Sequence, residues 1–236
     1  MHFNNINKIL VINFIFLFAI GYGYTQERRG ELGNWYMYFF SSGTKKSPWG
    51  FQGDVQYRSF DLVGDLEQLL LRGGLTYQPK ESIIKFTLGY GHITTGSYAS
   101  SGPTIRESRI YQEALYPVKF GSRIFSLHRL RYEQRFVDDL RFRTRYRYNF
   151  FLNIPMTGTD MSAGTVYIAF YNELFINGQR KTTATTEVEV FDRNRLYVAL
   201  GYMIKRNIKV QLGIMNQTSD TWSKNQLQIS FHQTFL

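Results

Sequence analysis

Seven arginines crowd residues 128–155 and recur at every second position along two runs. The first run holds Arg129, Arg131 and Arg135, with Glu133 in its one gap; the second holds Arg141, Arg143, Arg145 and Arg147. A guanidinium stays charged and presents a planar fork of N–H donors that grips a carboxylate or phosphate through two parallel bonds. Such a stripe has two chemical uses: it can select anions, or it can close on carboxylates of the same chain as an internal ion lattice. Carboxylates with matching spacing flank it, Glu107 and Glu113 before and Glu173 after, and Arg109 and Arg195 add to the cationic set. A third chemistry starts from Ser126 and His128, two apart in the same stretch, because a Ser–His couple can act as nucleophile and general base in a lipid hydrolase. Positions i and i+2 of a strand lie roughly 6–7 Å apart, so that couple needs favourable rotamers, and no orienting Asn or Asp accompanies it. Metal chemistry finds no pattern: cysteine is absent, and His92 and His232 stand apart from any ligand-like spacing. No phosphate loop is present either, and no cofactor is implied.

The alternate positions of the arginine runs are apolar or aromatic: Leu130, Tyr132 and Phe136, then Phe142, Tyr146, Tyr148, Phe150 and Leu152. A period of two is that of a strand with unlike faces. The same alternation recurs in residues 51–60, 67–78, 83–90, 107–116, 165–176, 195–204, 208–217 and 225–235, with an aromatic-rich segment at 32–40. These segments run to about ten residues, are separated by turn signals, and form the pattern of a transmembrane β-barrel. Helical periodicity is not evident after residue 25.

The amino terminus fits this reading. Lys8 precedes the apolar run 9–20, and small residues follow in 21–25. This is the layout of a secretory signal peptide spanning 1–25, followed by a barrel domain over 26–236. No later stretch is long and apolar enough for a membrane helix, so a membrane-spanning protein of this sequence has to be a closed barrel, the other structure that satisfies its own backbone. The expected location is the outer membrane of a Gram-negative bacterium. Its lipids and its barrel-assembly machinery are the expected partners, and the terminal Phe235 suits the latter. Formal net charge is +10 and aromatic content 17%. An exported chain whose basic residues alternate with aromatics in strand period does not read as a nucleic-acid binder, and the barrel reads as a monomer.

Eleven strands are legible. Single-chain bacterial barrels use even numbers, so twelve are expected, with residues 24–31 supplying the further strand, or ten if 32–40 is not a stave. Short connections at 79–82, 117–122 and 205–207 interleave with long polar ones at 94–106 and 177–189, as periplasmic turns interleave with external loops. A lipid-facing arginine at the bilayer midplane costs about 2–4 kcal/mol, so the arginines are expected inside. Arg58, Arg72, Lys85 and Lys209 fall on inward positions too, with Asp54 among the carboxylates. The predicted lumen is an Arg/Glu/Tyr lattice with a strong positive balance.

The stretches 107–112, 128–136, 141–148, 172–177, 191–202 and 213–217 resemble the domain of unknown function 2490 (DUF2490) family of predicted outer-membrane barrels. The positions that match its motifs are Glu107, Arg109, His128, Arg129, Arg131, Glu133, Arg135, Glu173, Asn177, Asn194, Arg195, Asn216 and Gln217. The resemblance implies localisation and fold, and brings no activity, substrate or catalytic residue.

Three functions follow as expectations. A narrow, positively lined pore would prefer small anionic solutes by the logic of charged selectivity rings. A sealed barrel packed with paired Arg and Glu would serve as a structural or interaction protein. A lipid-modifying hydrolase would use Ser126 and His128.

Overall fold

The computed structural model describes residues 32–42, 47–97 and 102–235. The expected signal peptide and the expected further strand at 24–31 lie outside the described residues. Within them the chain is all β: β1 (Gly33–Ser42), β2 (Trp49–Ser59), β3 (Leu66–Tyr77), β4 (Lys85–Thr95), β5 (Ile105–Phe120) and β6 (Ile124–Val137) are followed by β7 (Arg143–Pro155), β8 (Val166–Asn177), β9 (Phe191–Lys205), β10 (Ile208–Thr218) and β11 (Ser223–Phe235). Each strand pairs antiparallel with the next, and β1 pairs with β11 to close the ring.

The count corrects the even number expected from the sequence. In an up-and-down meander neighbouring strands alternate in direction, so an odd ring must close with its first and last strands parallel. β1 and β11 do run parallel, from Gly33 opposite Gln226 to Ser42 opposite Phe235. Both edges of β1 are thereby taken, by β11 on one side and β2 on the other. A twelfth stave has no gap to enter.

The alternation sorts side chains as the period requires. Outward positions carry Phe51, Val55 and Tyr57 on β2, Leu71, Leu75 and Tyr77 on β3, and Leu196, Val198, Leu200 and Tyr202 on β9, all of them exposed. Inward positions hold most of the buried polar and charged groups. This is the inverse of a water-soluble barrel, whose apolar residues fill the inside.

The ring has two unlike ends. The turn end carries the connections 78–84, 121–123 and 206–207 together with the ten-residue connection 156–165. The loop end carries 60–65, 138–142, 219–222 and the long 178–190. The expected alternation of short and long connections therefore holds only in part, since 156–165 is long at the end where the sequence suggests short turns. Loop 178–190 is folded against the neighbouring turn: Arg141 N–H donates to Thr182 O (3.0 Å) and Gly178 N–H to Thr144 O (2.8 Å).

Two glycines admit large rings into the interior. A Cβ on Gly201 would stand 2.1 Å from the Tyr167 ring, and one on Gly89 would stand 2.2 Å from the Tyr111 ring. Each tyrosine lies flat over the neighbouring strand where the sequence offers no side chain. Tyr167 joins Trp35, Ala169, Tyr197, Ala199, Met203 and Met215 in the barrel's apolar cluster.

Candidate functional site

The inward positions of β5 to β9 form a continuous ion lattice. On β5, Glu107 accepts from Arg109 Nε (2.7 Å) and from Arg135 on β6. Glu113 accepts from Arg131 Nε (2.7 Å) and from Gln52 Nε2 (2.6 Å), with Arg129 at 3.8 Å. Glu133 holds Arg145 at 2.7 Å and Arg147 beside it, and has Arg131 and Arg109 at 3.8 and 3.9 Å. On β8, Glu173 takes Arg129 at 2.7 Å, Arg147, and Arg195 at 3.6 Å. Each carboxylate is thus shared by two or more guanidiniums. That sharing offsets the desolvation that makes a lone buried ion pair a weak source of stability.

Cation–π contacts fill the remaining faces of the guanidiniums. Arg147, Arg195 and Arg145 stand over the Phe175 ring at 4.6, 4.7 and 5.2 Å, and Arg131 stands over Tyr111 at 4.3 Å.

Two of the expected lattice members depart from this arrangement. Arg141 sits in the turn between β6 and β7 and is exposed, because β7 begins only at Arg143. The period of two runs through Arg141 in the sequence, but the ladder does not. Arg143 is inward and buried, yet it forms no ion pair among the described residues, and its Nε lacks a partner.

Two acids are turned inward that strand period alone would not place there, and the first of them, Asp192, joins the lattice. The β8–β9 register shifts between Arg193 and Phe191, leaving Asp192 as the extra residue of a bulge. Its carboxylate meets Arg145 at 3.0 Å and Arg193 at 3.1 Å. The β2–β3 register shifts in the same way around Glu67, which meets Lys224 at 3.4 Å and Gln226 Nε2 at 3.2 Å. The run Asp192-Arg193-Asn194-Arg195 carries a signal of the first bulge, since four successive polar residues break the alternation.

The lattice lies toward the loop end, where inward side chains from several strands are wholly buried. Ile93, Met215 and Gln226 are 0% exposed, and Phe175 and Glu133 are 1% exposed. A side chain lining a water-filled channel keeps accessible surface, and these five, from five different strands, keep essentially none. Toward the turn end the interior opens into a cavity of about 370 Å³. It extends from Trp35, Arg58 and Arg195 at its floor to Lys85, Lys209 and Thr234 beside the turns.

Ser126 and His128 are on the outer wall and are not joined. Ser126 Oγ donates to Val118 O (3.0 Å), while His128 Nδ1 pairs with the Tyr148 hydroxyl (2.8 Å) and the ring packs against Phe150 and Tyr116. A hydrolytic couple needs the serine hydroxyl on the imidazole; here each group is engaged elsewhere.

A family profile described as "Protein of unknown function (DUF2490)" matches residues 32–228. The chain belongs to the DUF2490 family. The match runs from the residue before β1 into β11 and takes in every carboxylate of the lattice. Among curated proteins, this DUF2490 chain is similar to an uncharacterized protein of Methylorubrum extorquens. The two are 26% identical over 172 residues, 71% of either chain. No solved structure matches it. This DUF2490 chain is a closed β-barrel with a buried Arg/Glu network.

Proposed function

We propose that this DUF2490 barrel is a monomeric outer-membrane protein with a sealed lumen: a structural or binding barrel that does not conduct. The membrane reading is supported by the outer wall, where exposed aliphatic residues lie between aromatic ones. On β2, Trp49 and Phe51 mark the turn end and Tyr57 the loop end, with Val55 between. Trp49 to Tyr57 is nine residues, roughly 26 Å along the strand, within the about 9–11 residues of a tilted transmembrane strand. In water such a wall would be an aggregating surface; in lipid it is the expected one.

The observation that carries the sealed reading is the packed layer of Ile93, Glu133, Phe175, Met215 and Gln226. It favours the ion lattice as a plug over the anion-selective pore. Arginines already committed to carboxylates cannot dehydrate a passing anion without breaking those pairs. Single-channel recording of the folded protein in a planar bilayer under a salt gradient tests this directly. A flat baseline is expected. Discrete steps with an anion-favouring reversal potential would restore the pore.

A further inference from the structure

The turn-end cavity carries more positive charge than its acids can neutralise. Eight Lys and Arg side chains line it against three carboxylates, Asp54, Glu113 and Glu173. Those carboxylates are fully engaged: Asp54 by Arg72 at 2.8 Å, Glu113 by Arg131, and Glu173 by Arg129, Arg147 and Arg195. Three of the cations have no carboxylate within about 4 Å among the described residues. Arg58, at the floor, is 5% exposed; its Nη groups donate only to the neutral amides of Gln56 and Gln68 (2.7 and 2.8 Å), its Nε has no acceptor, and it stacks on Trp35 at 3.6 Å. Lys85 and Lys209, from opposite walls near the rim, complete the set.

A cation held inside a cavity with no carboxylate in contact is costly, and an anion brought in from solution to the rim lysines relieves that cost. Each rim lysine also has apolar neighbours. Lys85 pairs in register with Leu115, beyond which lie Leu127 and Phe151 on the same wall. Lys209 lies opposite His232, whose ring stacks on Phe39 at 4.7 Å and whose Nε2 is paired with Ser230 Oγ (2.9 Å). A few cations set among aliphatic and aromatic walls, in a concavity of this volume, match the make-up of sites for small organic molecules.

We infer that the turn-end cavity is a binding site for a small organic anion: a phosphate monoester or carboxylate whose apolar body lies against Leu115, Leu127, Phe151 and Phe39 while its charged group meets Lys85 or Lys209. The site takes its ligand from the compartment that the turn end faces, and it rests on the sealed reading only in being blind at the lattice.

Isothermal titration of the folded protein in nanodiscs with phenyl phosphate tests the assignment, with inorganic phosphate and benzyl alcohol as the head alone and the body alone. Saturable binding of phenyl phosphate is expected, at least about tenfold tighter than inorganic phosphate, as the loss of an apolar contact area predicts. The double variant Lys85→Gln/Lys209→Gln removes no lattice ion pair and should stay folded by heat-shifted gel mobility, yet lose affinity by about tenfold or more. Leu127→Asn should weaken phenyl phosphate while leaving inorganic phosphate unchanged. No saturable heat with wild-type protein, or equal affinity in the double lysine variant, overturns the site. Either failure leaves the sealed lumen standing, because that reading is decided by conductance alone.

Discussion

Arg145 on β7 donates from Nη1 to the Asp192 carboxylate on β9 at 3.0 Å, reaching past the whole of the intervening strand β8. The contact exists because the bulge at Asp192 turns its carboxylate inward. The other side of the same guanidinium holds Glu133 on β6 at 2.7 Å. One arginine thus ties together strands on both sides of its own, and the lattice acts across the lumen as well as along the ladders.

Glu133 is the hub of that lattice, with four arginines within 4 Å. Glu133→Gln leaves Arg145 and Arg147 buried beside a neutral amide, and breaking a buried pair in this way costs about 3–5 kcal/mol. Urea titration followed by gel mobility should show Glu133→Gln as far less stable than Glu67→Gln, whose partner Lys224 is nearer the rim. Similar midpoints for the two variants would remove Glu133 from its central place.

Neighbouring arginines should answer differently to the same substitution. Arg145→Gln loses bonds to two carboxylates, whereas Arg143→Gln loses no ion pair, and Arg141→Gln changes only an exposed turn. The expected order of destabilisation is Arg145, then Arg143, then Arg141, the last within about 0.5 kcal/mol of wild type. A large effect at Arg141 would mean that it reaches the lumen after all.

The glycine–tyrosine contacts predict a rescue. Gly201→Ala drives a methyl into the Tyr167 ring and should cost about 1–3 kcal/mol, the usual penalty of overpacking. Tyr167→Leu makes room, so the double variant should recover part of that loss. Strict additivity of the two single effects would show that they do not touch.

The outer wall separates a membrane barrel from a soluble one. Leu200→Arg, on the exposed outer face of β9 and away from both strand ends, should lower stability in lipid by about 2–4 kcal/mol; Asn194→Arg, near the loop end, should cost about 0–1 kcal/mol. The comparison is made by refolding into bilayers of fixed composition. Equal effects at the two positions would count against lipid on this face.

Much of this architecture is local and therefore readable in the chain. Strand period is a property of neighbouring residues, so the two faces of β2, β3, β6, β7 and β9 follow from alternation alone, and the inward direction of Arg129, Arg131, Arg145 and Arg147 follows from what an outward arginine would meet. The family resemblance rests on the same local runs. Pairing, closure and register depend on residues far apart. Nothing within 32–42 announces that β1 will lie parallel to β11, and an odd ring is a property of the whole sheet.

The bulges at Glu67 and Asp192 belong to the same class: an extra residue on one strand is defined against its partner, and apart from the polar run at 192–195 nothing local marks these two acids as inward. The packing of the interior is of the same kind. Composition and strand period together determined that the face opposite the apolar one would be cationic. Only the tertiary structure brings Ile93, Phe175, Met215 and Gln226 together with Glu133, all buried toward the loop end, and leaves Lys85 and Lys209 lining a cavity at the turn end. The reason is physical: charge sorting needs one strand and its solvent, whereas filling a cross-section needs side chains from all of them at once.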